Sequence, residues 1–191
     1  MLLINKKIIF GLTSSQYAFK KTIPQIEKLI TEGAEVFPVM SWDAYYNDTK
    51  FGKAKDFVKQ IEEITLKNII HTNEEIEGLE EIDLMVICPC SGNAISKITA
   101  GIMDTPILKI VKQVIKEDKS LILGIATQDG LSVNAENIGK LLNRKNIYFV
   151  PFRQDNPITK PRSLAFEPQY VLDTIFYSLK KEQIQPILLW G

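Results

Sequence analysis

Short apolar runs rich in β-branched residues alternate along this chain with longer stretches whose apolar residues recur every three or four positions. The short runs are Lys7–Leu12, Ala34–Met40, Asn68–His71, Asp83–Pro89, Ser120–Thr127 and Asn146–Phe152, and each predicts a β-strand. Several are apolar without a break, the pattern of strands covered on both faces. Between them, Phe19, Ile23, Ile26 and Ile30 predict one helix, and Phe57, Ile61 and Ile64 a second. Ile95, Ile98 and Ile102 predict another, followed by Ile138 with Leu141 and Leu142, and finally by Val171, Leu172, Ile175 and Leu179. Thr105-Pro106 reads as the N-cap and first residue of a helix reaching Val114. Pro24 should kink the first helix or shift its start.

Strand and helix in alternation over one core predict an α/β fold in three layers, a parallel sheet with helices on both faces. A chain of 191 residues suits a single domain, expected here over 1–191, better than two small ones. The stretch Pro151–Pro168 holds four prolines and few periodic apolar residues, so it is expected to be an irregular loop or arm.

Composition narrows the function classes. Lys+Arg and Asp+Glu both number 23, so no basic excess points to a nucleic-acid partner. A near-neutral surface also offers little self-repulsion against oligomerisation. Cys88 and Cys90 are too close together to staple a fold and read as reduced thiols. The N-terminus has no signal-peptide run, and no stretch approaches the roughly 20 apolar residues of a membrane span. A cytoplasmic protein is therefore expected. Zinc needs about four ligands, and a lone C-x-C with one histidine, His71, does not supply them, so no metal is expected.

In an open α/β sheet, ligands bind beyond the carboxyl ends of the strands. The first strand ends in Gly11-Leu-Thr13-Ser14-Ser15-Gln16, where free N–H groups, hydroxyls and a following helix favour a phosphate. A dinucleotide fingerprint would want more glycines, and Ser or Thr in such a turn also serves simply as a helix cap. The second strand ends at Ser41, which reaches the same phosphate if the two strands are neighbours. The fourth predicted strand runs into Cys88-Pro89-Cys90-Ser91-Gly92-Asn93-Ala94, small residues that leave room for a flat ligand, with Asn93 offering both donor and acceptor. The fifth ends in Ala126-Thr127-Gln128-Asp129-Gly130, with Asn134 shortly after. There is no G-x-S-x-G elbow, no P-loop, and too little histidine for a triad. What remains is a mononucleotide site whose cofactor would carry any redox chemistry.

These strand ends also carry a resemblance. Gly11–Ser15, Pro89–Ala94 followed by Ser96-Lys97, and Gly101 with Asp104 resemble the motifs of flavin-mononucleotide-binding proteins related to cysteine decarboxylases. With Pro24–Ser41, Phe51–Thr65, Cys88–Leu108, Leu123–Leu142, Lys145–Leu164 and Gln183–Leu189, the chain is more closely similar to one branch of that family, the dipicolinate synthase B subunits. The resemblance implies a Rossmann-like flavoprotein fold, a homo-oligomer, FMN as cofactor and an A subunit as partner, through which NAD(P) would enter. It implies oxidation of dihydrodipicolinate, or of its hydroxylated tetrahydro precursor, to the pyridine dicarboxylate of spores, in the cytoplasm of a spore-forming bacterium's mother cell. A scaffold or activator of the A subunit, or a decarboxylase- or prenyltransferase-like enzyme, is the alternative.

Carried over by position, Gly11, Thr13, Ser14, Ser15 and Ser41 would surround the flavin phosphate. Pro89, Ser91 and Asn93 would lie along the ring or substrate, with Asn93 on a carboxylate, and Ala126 and Thr127 would complete the pocket. The decarboxylases rely on a mid-chain histidine, and nothing between Ser41 and Thr65 is His, which speaks against thiol-peptide decarboxylation. Cys90 stands where relatives carry a small or hydroxylated residue, either as a reactive thiol or as a space-filler.

Overall fold

In the computed structural model, which describes residues 2–79 and 81–190, the apolar runs become the centre of one sheet. The strands β1 (Lys7–Leu12), β2 (Glu35–Met40), β3 (Leu84–Cys90), β4 (Ser120–Thr127) and β5 (Ile147–Phe149) pair in parallel in the order β2-β1-β3-β4-β5. Every residue of β3 and β4 is buried, as unbroken apolar runs require. Two layers of helices cover the sheet. The first contains α1 (Phe19–Thr31), α3 (Ala54–Thr65) and α7 (Val171–Leu179); the second α4 (Gly92–Ala100), α5 (Pro106–Lys116) and α6 (Val133–Leu142). A short α2 (Trp42–Tyr46) follows β2 directly. The strand order reverses between β1 and β3, so their carboxyl ends splay apart and leave the crevice where such sheets hold ligands.

Local chemistry sets the boundaries. Thr105 caps α5, its hydroxyl accepting from Leu108 N, with Pro106 as the first helical residue, and the helix continues past Val114 to Lys116. Gly101, at φ +73°, ends α4 in the left-handed conformation, so Ile102 falls outside the helix.

Two expectations are corrected. Asn68–His71 is not a strand: only Ile70 bridges β2, donating to Pro38 O at 3.0 Å and accepting from Met40 N at 2.9 Å. The next rung along that edge would need an N–H from Pro38 to meet Asn68 O, and proline has none.

The Pro151–Pro168 segment is not irregular but forms an antiparallel hairpin, β6 (Phe152–Asn156) and β7 (Lys160–Phe166). Its prolines fall where strands tolerate them. Pro157 lies in the turn, closed by Asn156 Oδ1 accepting from Ile158 N and Thr159 N, and Pro161 lies beside a shift in register. The base of β7 pairs with the end of β4, Ala126 against Ala165 and Thr127 against Leu164. The outer edge of β4 is thus shared, its first half by β5 and its second by β7.

Pro24 neither ends nor delays α1, which runs unbroken through it after a 3-10 turn at Gln16–Ala18. The cost is an unpartnered Lys20 carbonyl one turn earlier, and Pro24 is exposed. Pro24→Ala should restore that hydrogen bond. Because a mid-helix proline costs about 3 kcal/mol, and its loss frees the unfolded chain by up to about 1 kcal/mol, a net gain of about 1–2 kcal/mol is expected. Urea unfolding checks this, and an unchanged or lower midpoint would contradict it.

Candidate functional site

The tips of β1 and β3 are tied together by one buried hydroxyl. Thr13 Oγ1 donates to Pro89 O at 2.8 Å and accepts from Ser91 N at 2.8 Å, while Thr13 N donates to Pro89 O at 3.2 Å. The tip of β2 joins through Ser41 N to Leu12 O at 3.0 Å. On the other side, Ser15 Oγ donates to Ala126 O at 2.9 Å and clasps the end of β4. Four neighbouring strands therefore present their carboxyl ends as one connected crest.

A cleft of about 130 Å3 opens at this crest, and Thr13, Ser14, Ser41, Ser91 and Asn93 all line it. Its remaining wall comes from Trp42, Asp43, Ala94, Lys97 and the start of α5. Ser41 and Ser91 are also helix caps for α2 and α4, each accepting at 3.4 Å from the backbone N–H three residues on. Capping and lining are not exclusive here, because each hydroxyl proton stays free to donate. Ser15, by contrast, caps nothing with its side chain. The Ser14 hydroxyl and the Asn93 amide have no intramolecular partner among the described residues and face solvent.

The other expected residues lie beneath or beside the cleft. Gly11 is buried inside β1, paired with Val39 and Ile87. Pro89 is buried and contributes its carbonyl, and Ala126 and Thr127 are buried where β4 meets β7. Both cysteines are fully buried, and burial raises both thiols well above their ordinary range, Cys90 to about 12. A neutral thiol in that position fills space rather than attacking a ligand.

Asp129 and Asn134 do not line the cleft. They build a polar latch under the start of α4. Thr127 Oγ1 and Asn134 Nδ2 both donate to Asp129 Oδ1, while Asn134 Oδ1 accepts from Ser96 Oγ at 2.9 Å and Asn137 Nδ2 at 3.1 Å. The hydrogen bond from Thr127 is the largest influence holding the Asp129 carboxyl below its ordinary range, so it stays ionised. The role of this latch was hidden in the sequence because Asp129-Gly130 is also ordinary turn chemistry.

His71 is held in an aromatic stack. Its ring lies parallel to Tyr45 at 3.8 Å between centroids, and Nδ1 is 3.4 Å from Glu75. The charged groups at the cleft are Asp43 and Lys97, and Lys97 is paired with Asp104 at 2.6 Å. The largest depression, about 670 Å3, lies at the other end of the sheet, beside Asn146 and Ile147 where β5 begins. Volume alone does not pick out the site; the strand-end crest does.

The three-layer sheet with its ligand crevice at the β1/β3 reversal defines a doubly wound nucleotide-binding class, and residues 2–175 match the Flavoprotein family model. The chain belongs to that family. It is 39% identical over 187 residues to the dipicolinate synthase B subunit of Bacillus subtilis, covering 96% of this chain and 94% of that one. It also superposes on the crystal structure of the dipicolinate synthase B subunit from Bacillus halodurans with a TM-score of 0.89 and 36% identity, over 100% of both chains. A dodecameric FMN-dependent UbiX-like decarboxylase from Escherichia coli O157:H7 shares the fold at a TM-score of 0.59 and 19% identity, over 76% of this chain and 79% of that one. No helix among the described residues is long and apolar enough to cross a membrane.

Proposed function

We propose that the chain acts as the B subunit of a dipicolinate synthase and binds FMN at the β1/β3 crest. The observation that carries this reading is the convergence of Thr13, Ser14, Ser41, Ser91 and Asn93 on one cleft at the strand-order reversal. Free backbone N–H groups at Ser14 and at the start of α4, with the hydroxyls around them, match the donors that a phosphate monoester needs. The cleft is smaller than the roughly 300–1,000 Å3 of a complete small-molecule pocket, so it suits the phosphate end, and the flavin ring would extend along the crest toward β4.

FMN, when bound, supplies the hydride acceptor that aromatising a dihydropyridine requires. The chain's own contribution is binding and orientation. Ser14, Ser41 and Thr13 hold the phosphate end, the capped start of α4 places Asn93, and the Asn93 amide donates to a substrate carboxylate. A homo-oligomer would add the second wall that an open crest lacks; the relative named as dodecameric supports that arrangement. The two Bacillus relatives, each the second of two lettered components of one synthase, support an A subunit as partner, with NAD(P) entering there, and a setting in the mother cell.

One observation favours a second reading, in which the chain scaffolds or activates the A subunit. The cleft contains no free general acid or base other than Asp43, because Lys97 is engaged by Asp104. Visible spectra of the purified chain with added FMN test the first reading, which expects a shifted flavin spectrum and retention through gel filtration. Dipicolinate formation is then assayed with each component alone and with both. Absence of flavin binding overturns the proposal, and full activity of the A subunit alone moves the chain to the scaffold role.

A further inference from the structure

Beyond the Ser15 clasp lies a second small cleft, about 130 Å3, between the 3-10 turn at Gln16–Ala18 and the base of the β6–β7 hairpin. Ala18, Ala165, Phe166 and Pro168 give it an apolar floor, and Tyr17, Lys21, Arg153, Asp155 and Glu167 bring polar groups to it. It is contiguous with the crest: Ser15 holds Ala126 O, and Ala126 pairs with Ala165, which lines the cleft.

The charges here are unevenly satisfied. Arg153 is neutralised by Glu167 at 2.7 Å and Asp155 is paired with Lys160 at 3.1 Å, outside the cleft. Lys21 has no carboxylate partner, and the Tyr17 hydroxyl has no hydrogen bond, among the described residues. Burial, helped by the nearby Asp155, pushes the Tyr17 phenol up to about 12, so it remains a donor across the physiological range. The tilted contact of the Tyr17 ring with Phe51, 6.1 Å between centroids, fixes its direction. One free cation, one free phenol and one carboxylate facing an apolar floor form a zwitterionic lining.

We propose that this cleft is the substrate subsite and takes a carboxylate flanked by an N–H-bearing ring nitrogen, with Lys21 and Tyr17 gripping the carboxylate and Asp155 accepting the N–H. The proposal rests on the flavin reading above and adds the side from which the reduced ring is recognised. It implies that the reduced precursor binds better than the aromatic product. An aromatic pyridine nitrogen has a lone pair and no hydrogen, which would face the Asp155 carboxylate as acceptor against acceptor. Oxidation would thus loosen the ligand and help release it.

The test is calorimetric titration of the full chain, with and without FMN, using piperidine-2,6-dicarboxylate and pyridine-2,6-dicarboxylate as probes. The piperidine is expected to bind about tenfold more tightly, the scale of one hydrogen bond to a charged group. Lys21→Gln should weaken both probes about tenfold, whereas Asp155→Asn should weaken only the piperidine. Equal affinities for the two probes, no binding of either, or binding indifferent to both substitutions would overturn the proposal. The flavin spectrum of the same samples separates the two failures: a bound flavin without probe binding sinks the subsite alone, and an unbound flavin sinks the reading beneath it.

Discussion

Thr13→Val should uncouple the tips of β1 and β3 and weaken FMN binding by at least about tenfold, while lowering stability by about 2–3 kcal/mol. The substitution keeps the side chain's volume and branching but removes a hydroxyl that is 4% exposed and fully used. Pro89 O keeps the Thr13 backbone N–H as a partner at 3.2 Å, so the carbonyl is not orphaned. Ser91 N loses its only acceptor, since its 2.8 Å bond goes to Thr13 Oγ1. An unmet donor at a partly buried site costs about 1–3 kcal/mol, and the lost donation to Pro89 O adds a smaller amount. The functional loss follows from position. Ser91 is the N-cap of α4, and a cap that moves takes Asn93 and the start of the helix with it. Thr13→Ser, which retains the hydroxyl, should recover most of the flavin affinity. Urea unfolding and flavin titration together check the pair, and equal behaviour of Val and Ser at this position would contradict the argument.

The parts of this molecule legible in its sequence are those where one local signal acted without a competitor. Lys7–Leu12 and Ser120–Thr127 are strands over the predicted ranges because their apolar runs are bounded by polar residues on both sides. Thr105-Pro106 starts a helix because cap and proline agree. Asn68–His71 failed for a reason thirty residues away, in the missing N–H of Pro38 on the facing edge. The hairpin at β6 and β7 was obscured because prolines normally argue against strands; here they sit in the turn and beside a register shift, and Phe152, Leu164 and Phe166 are buried.

The candidate site divides in the same way. Thr13, Ser14, Ser41, Ser91 and Asn93 follow strand ends and share a cleft, as a ligand crevice at the carboxyl edge leads one to expect. Gly11, Pro89, Ala126 and Thr127 are on or next to the same ends but buried below them, because a strand-end signal locates the crest without saying which side of the backbone a side chain takes. The contributions of Trp42, Lys97 and the start of α5 depend on how helices pack across the sheet, which no spacing along the chain encodes.

Gly92→Ala should damage the crest as severely as losing the Thr13 hydroxyl, although alanine is the better helix former. A Cβ at this first position of α4 would lie 2.5 Å from Thr127 Oγ1, 2.6 Å from Asn134 Nδ2 and 2.9 Å from Asp129 Oδ1. These atoms cannot swing away cheaply. Thr127 and Asn134 are buried, and both hydrogen-bond the Asp129 carboxylate. Either the latch breaks, exposing an ionised carboxylate to a lost pair of donors, or α4 lifts from β4 and carries Ser91 and Asn93 out of the cleft. Alanine's advantage over glycine in helix propensity and unfolded-state entropy is at most about 1 kcal/mol, whereas overpacking at a held site costs about 1–3 kcal/mol and a disrupted buried network adds to it. The clash wins, for a net loss of about 2–3 kcal/mol and a fall in FMN affinity of about tenfold or more. Asn134→Ala removes one of the three obstacles and part of the latch at once, so Gly92→Ala and Asn134→Ala should combine to less than the sum of their separate costs. Denaturant unfolding of the two single variants and the double variant measures that coupling. Strict additivity would show that Gly92 is not pressed against the latch, and undiminished flavin binding in Gly92→Ala would show that the start of α4 does not shape the site.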